Sequence, residues 1–306
     1  MTPAVQLHNV TKRFGAQAAV DGLSLFVPAA SVYGFIGPNG SGKTTTLRMI
    51  ARILYPDSGR IEVLGDADHS AADDRISYLP EERGLYKQMK VRDVLRFYSE
   101  LKGHRASRAE IDDWLERVEL PGIGDKKVEA LSKGMSQKVQ FISAVISKPE
   151  MVMLDEPFSG LDPVNAAVMT REILALKRQG TTVIFSTHDM ARAEELCDSI
   201  FMIYKGKKVL DGTLASIQQT YGQDTIHVRL DGVDAEWSDL PGVTKVTDLG
   251  NVQELRTDRS ADPQRILAAL MGRGRVSHFQ IAHPSLHEIF VRIATPSNEP
   301  LEPSHA

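Results

Sequence analysis

Cysteine is almost missing from this 306-residue chain. Cys197 is its only one, so no internal disulfide can form, and the composition fits a reducing compartment. Long hydrophobic runs are missing too. The longest, such as Phe141 to Ile146, fall far short of the roughly 20 apolar residues that span a bilayer, so the chain is not expected to cross one by itself. The start, Met1-Thr-Pro-Ala-Val-Gln-Leu-His8, has no charged stretch followed by an apolar one, and no signal peptide is expected. A strong charge of either sign is also lacking. A net charge of −4 speaks against a general nucleic-acid binder. What the chain does have is 42% hydrophobic residues, enough for a real core, and a length that suits one large or two unequal domains.

Against that background one segment stands out. Residues 37–44 read Gly37-Pro38-Asn39-Gly40-Ser41-Gly42-Lys43-Thr44, followed by Thr45, and match the phosphate-loop pattern G-x-x-x-x-G-K-[ST] throughout. Glycines let the backbone curl until successive N–H groups converge on a phosphate. Lys43 adds a charge that reaches the β- and γ-phosphates, and the Thr44 hydroxyl can ligate Mg²⁺. The apolar run Ser31–Ile36 predicts a buried strand before the loop. Lys43 to Arg52 predicts a helix after it, with its N-terminus facing the phosphates. A nucleoside triphosphate is the expected ligand.

The rest of the chain supports an α/β fold. Strands are expected within residues 1–35 (alternation at Val5/Leu7, then Leu23–Val27), at Ile61–Leu64 and at Ile76–Leu79. Val94, Leu95, Tyr98 and Leu101, then Ile111, Trp114, Leu115 and Val118, recur at helical spacing and predict a helical insert. Strand-like runs return at Met151–Leu154, Thr182–Phe185 and Ser199–Tyr204, with helices at about 163–178 and 189–197. Such alternation implies a mostly parallel sheet covered by helices. Near Tyr221-Gly222-Gln223-Asp224 the pattern breaks. A smaller α+β domain is expected over 221–294, with strands near 225–230, 243–248, 252–257 and 276–281 and helices near 263–271 and 284–294. From residue 219 onward there are 8 basic and 12 acidic residues, so the net acidity sits here. The Pro-rich tail 295–306 is expected to be disordered.

Two further segments complete a nucleotide site. Met151–Leu154 is an apolar strand followed by Asp155 and Glu156, which it would deliver to the carboxyl edge of the sheet, where open α/β sheets bind ligands. Asp155 is then placed to hold Mg²⁺ or its waters, and Glu156 to polarise a water aimed at the γ-phosphate. His188 comes after the apolar strand Thr182–Thr187 and should emerge at the same edge, where a neutral imidazole can hydrogen-bond the γ-phosphate. His8, His69, His104, His227, His278, His283, His287 and His305 are taken as ordinary surface or core residues, and Cys197 as an inert helix residue.

Between the loop and the acidic strand lies Leu131-Ser132-Lys133-Gly134-Met135. It resembles the signature motif of ABC ATPases, usually Leu-Ser-Gly-Gly-Gln, and the resemblance extends over about residues 4–218. It implies a phosphate-loop NTPase with a mixed sheet core, an antiparallel β region, and a helical subdomain over about 87–146, the whole filling residues 1–220. It implies ATP and Mg²⁺ as ligands and hydrolysis of ATP to ADP and phosphate. Ser132 and the Gly134 backbone, at the start of a helix expected from Met135 to about Ile146, would contact the γ-phosphate of ATP held by a second chain. A homodimer, or a heterodimer with another ABC ATPase, is thereby implied. Phe14 stands where the family's ring stacks on adenine. Ser159-Gly160-Leu161-Asp162 looks like the D-loop at the dimer seam, and the helical insert like the part that docks onto a membrane permease. The resemblance thus implies a transporter subunit, peripheral on the cytoplasmic face of the cell membrane, with its permease a separate polypeptide and no nucleic acid expected.

Three positions depart from the family pattern. Lys133 and Met135 replace the first Gly and the Gln of the signature. Glu81, in Tyr78-Leu79-Pro80-Glu81-Glu82, takes the place of the Q-loop Gln. A carboxylate is also a good hard ligand, so Glu81 is expected to join Thr44 and Asp155 around Mg²⁺; the alternative is that it points away and pairs with Arg83. The strings at 78–86 and 131–135 resemble an exporter branch that includes sodium-extrusion and drug or antibiotic ATPases, whose small C-terminal domain residues 222–294 fit. A soluble ABC ATPase acting on nucleic acid or ribosomes is the alternative. It usually shows two cassettes, a long coiled coil or zinc-binding cysteines, none of which is seen here. Intact Lys43, Asp155, Glu156 and His188 speak against a degenerate binding module.

Overall fold

The computed structural model describes residues 3–67, 74–82, 84–221, 225–231, 237, 239–258, 261–282 and 284–294. Arg83, the break at 222–224 and the tail 295–306 lie outside them, as do His69, His283 and His305. Contacts divide the chain into two units, Met1–Thr213 and Leu214–Ala306.

The first unit runs β1 (Pro3–Phe14), β2 (Gln17–Pro28), β3 (Val32–Ile36), α1 (Lys43–Ile50), β4 (Ser58–Val63), β5 (Ile76–Leu79), α2 (Val91–Leu101), α3 (Arg108–Arg117), α4 (Lys133–Val145), β6 (Met151–Asp155), α5 (Pro163–Arg178), β7 (Thr182–Thr187), α6 (Met190–Leu196), β8 (Ser199–Tyr204) and β9 (Lys207–Gly212). A six-stranded sheet has the order β5-β6-β7-β3-β8-β9, parallel except for β9. A three-stranded antiparallel sheet, β2-β1-β4, completes the β structure. Every residue of β3, β6 and β7 is buried, as expected for parallel strands covered on both faces. Their apolar runs therefore show no alternation. The strands of the small sheet do alternate, burying Val5, Leu7, Leu23, Leu25 and Val27.

The helical insert buries most of the residues that its periodicity singles out, but Tyr98 is half-buried and Leu101, at the end of α2, is 60% exposed. Val94, Leu95, Ile111, Trp114 and Leu115 pack with Val139, Phe141 and Ile142 of α4, where the Trp114 and Phe141 rings meet edge-on at 6.3 Å. A capping box fixes the start of α3: Ser107 accepts from the Glu110 N–H, and Glu110 accepts from the Ser107 N–H. Two helix limits differ from expectation. Helix α1 stops at Ile50 instead of Arg52, because Arg52 adopts φ 59° and the chain reverses there. Helix α4 begins at Lys133, two residues before Met135, because Ser132 is its N-cap and accepts from the Met135 N–H at 3.3 Å. Strand β9 has no counterpart in the elements expected from the sequence.

The second unit runs α7 (Leu214–Tyr221), β10 (Thr225–Asp231), β11 (Val243–Asp248), β12 (Gln253–Thr257), α8 (Pro263–Met271), β13 (Arg275–Ala282) and α9 (Leu286–Ala294). Its antiparallel sheet has the order β11-β12-β10-β13. Ile226, Val228 and Leu255 from the strands close with Leu240 and with Ile266 and Leu270 of α8 into one core. Helix α7 is likewise not among the elements expected from the sequence. It is tied into this unit by Gln218 Nε2, which donates to the Pro284 carbonyl at 3.2 Å, and its last carbonyl, at Tyr221, accepts from Arg292 Nη1 at 3.4 Å. The unit boundary accordingly falls before α7, at 213/214, where the sequence pattern sets it at 220.

Candidate functional site

The 37–44 loop comes directly after β3, the third strand from the β9 edge, and turns into α1. Gly37 has φ 153°, and a Cβ there would lie 2.3 Å from the Ile203 carbonyl oxygen. Gly42, the N-cap of α1, has φ 113°, and a Cβ there would meet the Ala19 carbonyl at 2.4 Å. Both positions admit glycine alone, which is why the loop can curl tightly over the first turn of α1. Lys43 folds back on the loop. Its Nζ donates to the Gly37 carbonyl at 2.6 Å and the Pro38 carbonyl at 3.2 Å, and stands 3.9 Å from Glu156 Oε1. Burial lowers its pKa; the charges of Glu156, Asp155 and Glu81 act in the opposite direction.

Asp155 ends β6 and is completely buried. A buried carboxylate is costly unless hydrogen-bonded, and three hydroxyls satisfy this one. Ser186 Oγ and Thr44 Oγ1 donate to Oδ1 at 2.5 and 3.2 Å, and Tyr78 OH donates to Oδ2 at 3.1 Å. Burial and the adjacent Asp155 charge push the Tyr78 hydroxyl up to about 12, so it remains a donor at neutral pH. Strand β6 is not a neighbour of β3; β7 lies between them, with Asp155 registered against Ser186. Thr44 reaches across that interval from the start of α1.

Glu156 leaves the strand with φ 49°, a left-handed conformation that costs a non-glycine residue about 1–2 kcal/mol. Its N–H donates to Ser186 Oγ at 3.0 Å, and its carboxylate, nearly buried, meets His188 Nδ1 at 3.0 Å. The ring of His188 is 60% exposed, so its other nitrogen can reach a ligand. A cavity of about 280 Å³ opens over this group. It is lined by Asn39, Gly40, Lys43, Thr44, Thr45, Glu81 and Glu156, among others. Glu81 is part of that lining; Arg83, the partner in the other reading, lies outside the described residues.

The other expected site residues sit apart from this cavity. Phe14 ends β1 with its ring 54% exposed and Lys12 Nζ 5.9 Å from its centroid, so the face is open for stacking. Ser132, Lys133, Gly134 and Met135 form the first turn of α4 with Leu131 just before them. Lys133 lies over Gly160, where a Cβ would come within 2.5 Å of its Nζ. Leu161 and Asn165 approach Gly134, so the signature segment and Ser159–Asp162 share one patch of this chain. Asp162 serves as the N-cap of α5, accepting from the Asn165 N–H at 2.9 Å, and its two hydrogen bonds from Asn165 hold its carboxyl below the usual range. Cys197 closes α6 just after its last turn; burial raises its thiol pKa, and it packs against Gly34.

Sequence reasoning missed Tyr78, Ser186, Gln137 and Gln140. Gln137 Nε2 donates to the Pro157 carbonyl at 3.1 Å. Gln140 Nε2 donates to the carbonyls of Pro80 and Glu82 at 3.3 and 3.2 Å. One signal was available for Gln140, a polar residue set among the apolar positions Val139, Phe141 and Ile142.

Residues 20–159 match the family described as ABC transporter, and residues 212–294 match the ATP-binding protein DrrA1-3-like C-terminal domain. The chain is 42% identical over 287 residues to an ABC transporter ATP-binding protein, YhaQ, of Bacillus subtilis, a match that spans 93% of this chain and 96% of that one. It is 33% identical over 301 residues to the daunorubicin resistance ATP-binding protein DrrA3 of Streptomyces coeruleorubidus, with 95% of both chains covered. A solved ATP-binding subunit of an ABC transporter superposes with a TM-score of 0.66 at 28% identity, over 72% of this chain and 93% of that one.

Proposed function

The chain belongs to the ATP-binding, ATP-hydrolysing subunits of ABC transporters, and on that premise we propose that it powers export through a separately encoded transmembrane permease. Such subunits generally pair with separate permease subunits. Among the described residues, no helix is long and apolar enough to cross a membrane. Export is assigned because the C-terminal unit matches the DrrA1-3-like domain and a relative across 95% of the chain is a drug-resistance ATP-binding protein. The same premise puts the chain on the cytoplasmic face of the membrane, as a peripheral subunit.

One observation carries the site reading: Lys43, Thr44, Glu81, Asp155, Glu156 and His188 converge on one cavity of about 280 Å³ or hydrogen-bond to its lining. The N–H groups of residues 40–45 and the Lys43 ammonium bind the β- and γ-phosphates, Lys43 exchanging its two loop carbonyls for phosphate oxygens. Phe14 offers its open face to the adenine. The donors around the cavity fit Mg²⁺: hard oxygens from Thr44 and Asp155 lie 3.2 Å apart, with the Glu81 carboxylate on the same wall. Among the described residues no group of three His, Cys, Asp or Glu forms a metal cage. When bound, Mg²⁺ neutralises charge on the β- and γ-phosphate oxygens.

Glu156 orients the attacking water and takes its proton as the water oxygen bonds to the γ-phosphorus and the bond from that phosphorus to the bridging oxygen breaks, with ADP as the leaving group. His188 holds one Glu156 oxygen through Nδ1–H, and in the imidazolium form its other ring N–H donates to a γ-phosphate oxygen. The site closes when a second subunit, either another copy or a related ATPase, brings its own residues 131–135 and 159–162 across the nucleotide. Hydrolysis then loosens the pair and drives the permease.

Glu156→Gln tests this reading. The variant should bind ATP, lose hydrolysis by about 10²–10⁴-fold and accumulate as an ATP-dependent dimer on size exclusion. Hydrolysis at the parental rate would overturn the assignment. Transport by the chain reconstituted with its permease, across a panel of ions and drugs, would identify the cargo and its direction.

A further inference from the structure

Helix α4 carries two glutamines, Gln137 and Gln140, one turn apart and each only 3% exposed. Neither side chain is used within the helix. Each reaches a loop that ends at a carboxylate of the nucleotide site. Gln137 Nε2 donates to the Pro157 carbonyl, one residue beyond Glu156. Gln140 Nε2 donates to both the Pro80 and the Glu82 carbonyls, the two that flank Glu81. A single amide thus grips the peptide on either side of the residue that lines the phosphate-loop cavity.

The grip has a cost. Gln140 Oε1 is buried and has no hydrogen-bond partner among the described residues. A buried acceptor without a partner destabilises the fold, and an apolar side chain of the same size would avoid that. The positions beside it on α4 are apolar and completely buried at Val139, Phe141 and Ile142, while Gln137, one turn earlier, is buried and uses its amide in the same way. Packing alone therefore does not explain a glutamine at 140, whereas two carbonyls that need a donor do. Further along this loop the Gly84 carbonyl accepts from Tyr98 OH at 3.1 Å and the Lys87 carbonyl from the Glu129 N–H at 3.0 Å, whereas the carbonyls of Pro80 and Glu82 accept from Gln140. Between β5 and α2 the described backbone is irregular, and the Glu81 side chain is exposed on the cavity side.

We propose that Gln140 is a positioning residue for Glu81: it holds the 80–82 backbone against α4 so that the Glu81 carboxylate meets the metal-bearing edge of the nucleotide. This rests on the reading of Glu81 as a metal-side residue given above. Because Ser132 caps the start of α4, the same helix that presents the signature turn also carries the clamp.

The test uses the full chain with a non-hydrolysable ATP analogue and Mn²⁺ as the probe, read by electron paramagnetic resonance. Mn²⁺ midpoints are measured for the parent, Glu81→Gln, Gln140→Met and the double variant, with thermal melting beside each. Gln140→Met keeps the length of the side chain and removes the donor. It should weaken Mn²⁺ by about threefold to tenfold while the melting temperature holds or rises, since the orphan acceptor goes with it. In the double variant the loss should be no larger than for Glu81→Gln alone. Losses that multiply in the double variant, or an unchanged midpoint in Gln140→Met while Glu81→Gln shifts it, would overturn the proposal. If Glu81→Gln itself leaves the midpoint unmoved, the metal-side reading of Glu81 fails instead. Gln140→Glu, which sets a carboxylate against the two carbonyls, should weaken Mn²⁺ further in the same direction. If it binds Mn²⁺ as the parent does, the clamp has no part in positioning.

Discussion

The two units bury different things. In Met1–Thr213 the sheet is apolar up to its carboxyl edge, and there it buries Lys43, Asp155, Glu156, Ser186 and Thr187 together. The Asp155 carboxylate takes three hydroxyl hydrogen bonds within one site. In Leu214–Ala306 the described core is Ile226, Val228, Leu240, Leu255, Ile266 and Leu270, all of them apolar. Among the described residues its one buried carboxylate, Glu254, has His227 Nε2 at 3.6 Å and Arg256 Nε at 3.8 Å, beyond hydrogen-bond length. A packed apolar core makes a stable unit; a cluster of buried ionisable groups at a sheet edge has to offset their desolvation with hydrogen bonds, and such clusters gather at functional sites. The contrast sets the nucleotide-site chemistry in the first unit.

The sharpest way to break that contrast is Lys43→Ala. The only buried cation of the phosphate loop is lost, and nucleotide binding or hydrolysis should fall to background, measured by ATP turnover and by a fluorescent ATP analogue. Near-parental turnover would mean that the polar cluster is not the catalytic site. Next in size is Leu255→Ala in the other core. Removing a completely buried leucine should cost about 2–5 kcal/mol within the second unit, seen as an earlier melting step, while ATP turnover per folded chain stays near the parental value. Collapse of turnover would show that the second unit is part of the catalytic machinery.

Ser186→Ala should have a moderate effect on both quantities at once. It removes a donor to Asp155 and the acceptor of the Glu156 N–H, so stability should drop by about 1–3 kcal/mol and turnover should fall with it. A drop in melting temperature alone would make Ser186 structural. The smallest effect belongs to Glu110, in the helical insert. The Lys148 hydrogen bond, and then that from the Ser107 N–H, lower its pKa from 4.5 to about 2. A carboxyl with a depressed folded-state pKa contributes stability above 4.5 and loses it as pH falls through that window to about 2. Acid titration of the melting temperature should flatten in that range for Glu110→Gln. The change should be slight, because the pair is partly exposed.

Much of the first unit was legible because its signals are local. Strand, glycine loop and helix are contiguous at 32–50, and only that order places a curled backbone at a helix N-terminus. Asp155, Glu156 and His188 were legible because an apolar run of five or six residues is a buried strand, and the residues just beyond it emerge at the sheet edge. Ser186 and Tyr78 were not. A hydroxyl inside a strand carries no mark of its partner, and Ser186 meets Asp155 only because β7 pairs in register with β6. Gln140 was missed for a similar reason, since its partners lie 58 and 60 residues away. The start of α4 was misplaced because Gly134 is a poor helix former, and the cap at Ser132 outweighed it.

By itself the sequence determined the elements, the phosphate loop and the identity of the charged groups, since periodicity, turn chemistry and motif spacing act over a few residues. Only the tertiary structure decided the strand order that sets β7 between β3 and β6 and the left-handed turn that aims Glu156 at His188. It alone set Glu81 in the cavity lining and placed the hydroxyls and glutamines that hold the carboxylates. These depend on which distant backbones come within hydrogen-bond distance, and that is fixed when the cores pack.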